Sequence, residues 1–182
     1  MKKIILTVFA ATSLLLYSTP AFALLNFSVG VPLSHTFTGK WSNGTAIESD
    51  GVGGYFIQIG VPMLPGLGMD SHKVQIKNDS NLPFYVSTTM YNLYYLLPIP
   101  IINLTLGIGT GKSQWESEGQ VGDDGTATQF YTSIGVPIIP LFDIHLSYRS
   151  VSSKIESTSG RDKGEKDDVG GNVMGLGIGF NF

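Results

Sequence analysis

Hydrophobic and polar residues alternate one by one along several segments of the chain. From position 102 to 109 every even position holds a branched aliphatic residue, and every odd position holds a small or polar one. The same alternation runs through 142–149 and 174–182, where glycine takes many of the small positions. Successive side chains of a β-strand point to opposite faces. Each segment is therefore predicted to be a strand with one apolar face and one small or polar face.

The composition of the small or polar face favours a membrane barrel. In a soluble sandwich this face meets water, and it normally carries many charged residues. Here it carries mostly Gly, Ser, Asn and Thr, and only 14% of the chain is charged, against about 25% in average proteins. Small residues suit the interior of a narrow barrel, whose apolar outer face meets lipid. A soluble periplasmic β-sandwich remains the alternative fold.

Segments with paired prolines divide the chain into strands. They occur at 60–66, 97–101 and 135–141, and longer polar segments at 38–51, 77–81, 113–125 and 157–170 alternate with them. Proline lacks the N–H that a strand ladder needs, so each pair is predicted to separate two strands. The result is an all-β, eight-stranded antiparallel transmembrane β-barrel with short turns at one end and longer loops at the other. The predicted strands are 25–37, 52–61, 67–76, 82–97, 102–112, 126–136, 142–156 and 171–182.

Two positions fit this pattern poorly. Pro32 lies inside the first predicted strand, and a closed barrel has no edge strand in which a proline is tolerated. We expect a β-bulge at Pro32, or strand pairing that starts later. In the third strand Leu67 and Met69 share one parity, whereas Val74 and Ile76 share the other. A second bulge would shift the register between these two pairs.

The N-terminal segment has the layout of an export signal. Lys2 and Lys3 precede a short apolar stretch, and an A-x-A cleavage signature follows at 21–23. The apolar stretch is shorter than the roughly 20 residues that a membrane helix needs. We therefore predict a signal peptide at 1–23 and a barrel at 24–182, located in the bacterial outer membrane.

Composition also argues against several functions. The chain has no cysteine, which excludes a disulfide framework, a thiolate metal site and a cysteine nucleophile. Its formal net charge of −3 disfavours nucleic acid as a partner, because binding to phosphates needs a basic face. The sequence predicts no cofactor and no bound metal.

The C-terminal run at 177–182, Gly-Ile-Gly-Phe-Asn-Phe, resembles the end of a bacterial outer-membrane barrel, which typically closes with an aromatic residue. The chain after the signal peptide resembles, in architecture, the small eight-stranded class that includes the OmpA transmembrane domain and OmpX. This resemblance implies that Phe180 and Phe182 form the signal that the barrel-assembly machinery reads. The class includes anchors, adhesins and a few lipid-modifying enzymes, so the fold leaves the function open.

Charged and polar side chains are concentrated on one face of the seventh predicted strand, which carries Asp143, His145, Ser147 and Arg149. A charge inside a narrow barrel must be paired. We therefore predict a structural polar network in the lumen, in which Arg149 pairs with Asp143 or Asp70 and His145 takes part. The glycines of the last strand would leave room for these side chains.

The same residues allow a catalytic alternative. His145-x-Ser147 resembles the His-x-Ser pair of lipid A deacylases of this barrel class. The predicted position of the pair near the inner rim argues against that activity, because lipid A lies in the outer leaflet. Tyr148 also stands where those enzymes commonly have Asn.

Aromatic residues lie near the predicted loop-side strand ends, where a girdle of interface aromatics is expected. We predict this role for Trp41, Tyr55 and Trp115. Charge clusters at 116–124 and 161–168 are predicted to be solvated, and contact with divalent cations, lipopolysaccharide or a host surface is the alternative. The expected partners are outer-membrane lipids, lipopolysaccharide and the barrel-assembly machinery, and the expected state is a monomer.

Three functions are compatible with these features. The first is a non-enzymatic outer-membrane barrel with an envelope-structural or surface-interaction role. The second is a narrow passive channel for small solutes, although an eight-stranded barrel has an interior that side chains can fill. The third is a membrane-embedded hydrolase similar to the lipid A deacylases.

Overall fold

The structure is a computed structural model of the chain, and it describes residues 25–78, 83–99, 101–117, 120–139, 141–158 and 163–182. The predicted signal peptide at 1–23 lies outside these ranges. No helix in the described ranges is long and apolar enough to cross a membrane. The described strands are β1(Asn26–Phe37), β2(Ser49–Gly60), β3(Pro65–Ile76), β4(Phe84–Ile99), β5(Ile102–Ser117), β6(Gln120–Ile139), β7(Phe142–Glu156), β8(Lys166–Asp168) and β9(Gly171–Asn181).

Eight of these strands close into an antiparallel barrel. Strands β1 to β7 each pair with the next strand along the chain, and β9 pairs with both β7 and β1. At the junction, the backbone N–H groups of Leu25 and Phe182 each donate to the other residue's carbonyl, at 3.0 and 2.9 Å. The short strand β8 pairs only with the end of β7. The predicted eight-stranded antiparallel barrel is confirmed.

The two ends of the barrel differ. We call the end that holds Leu25, Phe182 and the short connections after β2, β4 and β6 the turn end, and we call the opposite end the loop end. Strands β5 and β6 extend far beyond their predicted ends, with only residues 118–119 between them. Most of the predicted loop at 113–125 is therefore strand, and that prediction is wrong.

The first strand contains the predicted bulge. The β1–β9 ladder shifts its register between Pro32 and Ser34, which accommodates the proline without breaking the pairing of β1 with β9. The alternative, in which pairing starts after Pro32, is wrong, because β1 pairs with β9 from Asn26 onwards. Against β2, the ladder ends at the Gly30–Phe56 pair, and Pro32 lies beyond it.

The third strand has no bulge. Its ladder with β4 runs without interruption from Pro65 to Ile76. Leu67 faces outward and is 65% exposed, whereas Val74 and Ile76 face inward and are buried. The predicted register shift is wrong because apolar residues occupy the outer face in one half of this strand and the inner face in the other half.

This exchange of faces runs around most of the barrel. Near the turn end the outward residues are apolar; on β4 they run from Tyr91 to Ile99. At 3.4 Å per residue and a tilt of about 40°, this stretch spans about 21 Å, close to the apolar band of about 25 Å of outer-membrane barrels. We call this band the belt. The inward residues at the same level are largely polar or glycine.

Nearer the loop end the polarity is inverted. The outward residues are hydroxylic or charged, and they include Ser71, Lys73, Ser87, Thr89, Thr110, Lys112, Thr128, Ser150, Ser152 and Lys154. The inward face holds the buried hydroxyls of Thr88, Ser113 and Ser153. Most of its other residues are apolar and form a buried cluster of Phe37, Ile47, Val74, Ile76, Val86, Ile155 and Val169. A polar outside with an apolar inside is the arrangement of a water-soluble protein. We call this part of the barrel the head.

Candidate functional site

The centre of the interior holds an ion pair between two opposite strands. Arg149 on β7 donates from Nε to Oδ2 of Asp70 on β3 at 3.0 Å, and both side chains are almost completely buried. The Arg149 guanidinium also stacks on the Phe56 ring, with Cζ 3.5 Å from the ring centroid. A second donor nitrogen, Nη1, bonds to the Ser147 hydroxyl. The structure thus places Arg149 against Asp70, the second of its two predicted partners.

Amides and a phenol extend this pair toward the turn end. Gln129 donates from Nε2 to Asp70 Oδ2 at 2.6 Å and to Asn92 Oδ1 at 2.5 Å. Tyr131 lies below the Arg149 side chain and accepts a hydrogen bond from Gln58 at 2.8 Å. These four residues were not among those predicted to form the lumen network. Their alternate positions on β4, β6 and β2 would have shown that their side chains face the interior, once it was known which face of each strand points inward.

Asp143 and His145 form a separate group near the turn end. His145 Nδ1 lies 3.2 Å from Asp143 Oδ1. Asn103 and Asn181 donate to the other carboxylate oxygen, Oδ2, at 2.9 and 3.0 Å. The predicted network therefore divides into two groups, one around Arg149 and one around Asp143.

The glycines of β9 provide the space for both groups. A Cβ atom on Gly179 would lie within 3 Å of the Asp143 carboxylate, and one on Gly175 would meet Ser147 Oγ at 2.9 Å. A Cβ atom on Gly177 would collide with the His145 ring. The small face of β9 is therefore needed so that large polar side chains of β7 can fill a narrow interior.

The hydroxyl of Ser147 is already engaged in this arrangement. It accepts from Arg149 and donates to the backbone carbonyl of Gly175 at 3.3 Å. His145 makes its hydrogen bond with Asp143 instead of with Ser147. A serine nucleophile needs a base within hydrogen-bond reach. The described partners of the Ser147 hydroxyl are instead the Arg149 guanidinium and the Gly175 carbonyl.

Side chains fill the interior. Met90, Tyr131 and Val173 have no exposed surface, and they lie with Phe56 and Tyr94 across the middle of the barrel. A polar cavity near the turn end, between Gln58, Asn103 and His145, has a volume of about 20 Å³. That volume is enough for about one water molecule.

The two tryptophans lie over the apolar interior of the head. Trp41 stacks on Trp115 with ring centroids 5.4 Å apart, and Trp115 stacks on Phe84 at 4.9 Å. All three rings pack against the buried cluster of the head. This corrects the prediction that Trp41 and Trp115 are interface aromatics, because Trp115 faces inward on β5. Tyr55 is exposed on the outer wall at the upper edge of the belt.

The loops of the head are tied to one another. The Ser42 backbone N–H donates to Asp167 Oδ1 at 2.8 Å, and the Ser42 hydroxyl donates to Glu165 Oε2 at 2.6 Å. Asp168 donates its N–H to the Lys40 carbonyl at 3.0 Å. Ion pairs of Lys73 with Glu116 and of Lys112 with Asp124 stand on the outer wall. Glu118, Arg161 and Asp162, which belong to the predicted charge clusters, lie outside the described residues.

The C-terminal aromatics lie at the turn end on the outer wall. The Phe180 ring contacts Phe142 of β7 and Phe27 of β1, at centroid distances of 4.8 and 6.3 Å. Phe182 stacks on Phe180 at 6.4 Å and is 59% exposed. These rings cover the junction at which β9 closes the barrel.

Strand ladders that run around the whole ring, an apolar belt outside and a hydrogen-bonded polar interior together define a membrane-spanning β-barrel, in which the ladders satisfy the backbone within the bilayer. In bacteria this antiparallel architecture belongs to the outer membrane. The chain is therefore an outer-membrane β-barrel protein.

Comparisons with solved structures agree with this class. The fold is similar to that of neisserial surface protein A (NspA), with 12% identity and a TM-score of 0.50 over 87% of this chain and 96% of that one. It is also similar to the outer-membrane protein OprG from Pseudomonas aeruginosa, with 11% identity and a TM-score of 0.52 over 91% of this chain and 99% of that one. At these identities the similarity concerns the fold alone. No protein-family model and no curated protein matches the sequence.

Proposed function

We propose that this protein is a non-enzymatic outer-membrane barrel that acts through its head as a surface-interaction module. The observation that carries this proposal is the inversion of polarity above the belt. Inward Val74 and Val86 and outward Lys73 and Thr89 give the head the pattern of a soluble domain. A barrel that served only as a membrane anchor would not need its strands to continue so far beyond the belt.

The filled interior supports a role other than transport. Arg149, Tyr131 and Met90 occupy the middle of the lumen, and the apolar cluster with Trp41 and Trp115 fills the loop end. A passive channel needs a continuous water-filled path, as porins have. Solute flow through this barrel would require the ion pair and the aromatic stack to separate.

The contacts of Ser147 argue against a hydrolase. Its hydroxyl is held by Arg149 and Gly175, and His145 is held by Asp143 near the turn end. An outer-leaflet lipid would have to reach a residue that is buried in the interior, below the head. These features support a structural role for the whole lumen network.

The outer wall suits the expected lipid partners. Phospholipid and the acyl chains of lipopolysaccharide would contact the belt. The hydroxyls and lysines just above it, among them Lys112 and Lys154, would meet the phosphorylated head groups of lipopolysaccharide. The barrel-assembly machinery would read the exposed aromatic C-terminus during biogenesis, and we expect the folded protein to be a monomer.

Conductance across a planar lipid bilayer tests the closed lumen. We expect the purified protein to insert without producing conductance steps. Arg149→Ala combined with Trp115→Ala should raise the conductance, because it removes side chains from the centre and from the loop end. Stable single-channel steps from the unaltered protein would favour the passive channel and contradict the proposal. Loss of acyl chains from lipid A upon expression would favour the hydrolase.

A further inference from the structure

Two histidines meet inside the barrel, next to the central ion pair. His35 on β1 and His72 on β3 have ring centroids 6.3 Å apart and an interplanar angle of 35°. His72 lies two residues after Asp70 on the same inward face. The chain has three histidines, and the third, His145, is held by Asp143 near the turn end.

Both rings of this pair have a buried nitrogen atom without a hydrogen-bond partner in the described structure. These atoms are Nδ1 of His35 and Nδ1 of His72. The Oδ1 atom of Asp70 is also buried and without a partner. Native proteins satisfy nearly all buried polar atoms, and a bound ion or water is one explanation of an exception. His35 and His72 thus each have an unpartnered ring nitrogen, on rings whose centroids are 6.3 Å apart, and this pair points to a ligand.

The barrel wall beside His35 is incomplete. Within the described residues, β1 and β2 pair only between 26–30 and 56–60. Beyond that point β1 has a paired neighbour on the β9 side alone. Gly51 and Gly54 of β2, with φ of 133° and 147°, have a backbone conformation that other residues rarely adopt, which accounts for the divergence of the two strands. We call this gap the seam.

The seam lies beside the more exposed ring of the pair. His35 is only partly buried, whereas His72 is 3% exposed. Two residues before His35, Leu33 is 57% exposed on the outer wall, so His35 stands at the upper edge of the belt. His35 is therefore the ring of the pair that lies nearer to the outer surface.

The chemistry of the pair selects the kind of ion. Imidazole nitrogens are preferred ligands of Zn²⁺, Cu²⁺ and Ni²⁺. An ion about 2.0–2.1 Å from each nitrogen places two ring centres about 5–6 Å apart, and the observed separation of 6.3 Å is slightly longer. No group of three His, Cys, Asp or Glu side chains in the described ranges is arranged to hold an ion. The pair thus provides two ligands, and water entering through the seam would complete the coordination.

We propose that His35 and His72 form a binding site for one divalent transition-metal ion, Cu²⁺ or Zn²⁺, loaded from the cell surface through the seam. Neutral imidazole provides the two protein ligands. The Asp70 carboxylate, two residues before His72 on the same strand face, is already paired with Arg149, so the two imidazoles are the protein ligands of the proposed site. This site is independent of the proposed surface-interaction role.

Calorimetric titration tests the site on the protein purified from outer membranes in detergent. We expect one Cu²⁺ ion to bind per chain, and Zn²⁺ to bind more weakly, as the usual order of affinities requires. His35→Ala and His72→Ala should each weaken Cu²⁺ binding at least tenfold. His145→Ala is the matched control and should leave the affinity unchanged. Binding of equal strength in the double variant His35→Ala/His72→Ala would overturn the proposal.

A spectroscopic measurement on the unaltered protein makes the test independent of how the variants fold. Electron paramagnetic resonance of the Cu²⁺-loaded protein counts the coordinating nitrogen atoms. Two imidazole nitrogens are expected. A signal with one nitrogen or none, or a titration without saturable binding, would overturn the proposal.

Discussion

Arg149 and Asp70 meet in the middle of the barrel, from strands that stand opposite each other in the ring. Their Nε–Oδ2 distance is 3.0 Å, and their side chains are 3% and 0% exposed. The largely polar interior of the belt lies on one side of this pair, and the apolar interior of the head begins on the other. The pair thus holds β7 and β3 together at the level where the apolar belt ends and the polar outer wall of the head begins.

The first prediction concerns this pair. Removing one partner leaves the other charge buried and uncompensated, which costs about 3–5 kcal/mol. We expect Arg149→Ala to lower the free energy of unfolding by about this amount in a urea titration of the barrel in lipid vesicles. The exposed pair Lys77–Glu48 is the control, because surface ion pairs contribute about 0–1 kcal/mol. Equal stability of Arg149→Ala and the unaltered protein would contradict the structural role of the network.

The second prediction locates the upper edge of the belt on a single strand. Leu106 and Thr110 both face outward on β5, with Leu106 inside the belt and Thr110 above it. Leu106→Arg should cost about 2–4 kcal/mol in vesicles, whereas Thr110→Arg should cost at most about 1 kcal/mol, because the penalty falls toward the interface. Equal costs at the two positions would mean that the boundary is misplaced.

The third prediction uses the two tryptophans of the chain. Trp41 and Trp115 stack over the interior of the head, so their fluorescence should resist quenching by brominated lipids. A ring on the lipid-facing wall would be quenched strongly. As a positive control, Tyr91→Trp places an indole on the outer wall, where Tyr91 is 64% exposed. Strong quenching in the parent protein would restore the interface role that the sequence suggested.

The alternation of side chains was sufficient to predict the barrel but not the head. On β5 the aliphatic residues up to Ile108 face lipid, and the rule of apolar outside and polar inside holds. The same rule applied to Val74 and Ile76 requires a bulge that does not exist, because these residues face a dry interior above the membrane. Periodicity shows that the two faces of a strand differ in polarity, but it does not show which face contacts lipid.

The partner of Arg149 in the interior illustrates a second limit of prediction from the sequence. The sequence named Asp70 and Asp143 as alternatives for Arg149, since both were assigned to the lumen. The stagger between β3 and β7 decides between them, and it is set by the sum of all ladder registers around the ring. Trp115 was misplaced for a related reason, because β5 continues seven residues beyond Thr110 with its alternation intact.

The fourth prediction concerns the C-terminus. Phe182 is exposed at the turn end, and its backbone is bonded to Leu25. We expect deletion of Phe182, or Phe182→Ser, to lower the assembled fraction in cells far more than the stability after refolding in detergent. The reason is that the assembly machinery acts only in cells. Heat-modifiable gel mobility measures both quantities, and equal assembly of the deletion and the parent in cells would refute the role of this residue.

Surface labelling of intact cells tests the central claim most directly, namely that the head stands outside the cell on a membrane-embedded belt. The chain has no cysteine, so single cysteines can be introduced without a background. Lys163→Cys lies in the head and Leu64→Cys lies in a turn at the opposite end. We predict that a membrane-impermeant maleimide labels Lys163→Cys in intact cells and labels Leu64→Cys only after lysis. Labelling of Leu64→Cys in intact cells, with Lys163→Cys protected, would contradict the account.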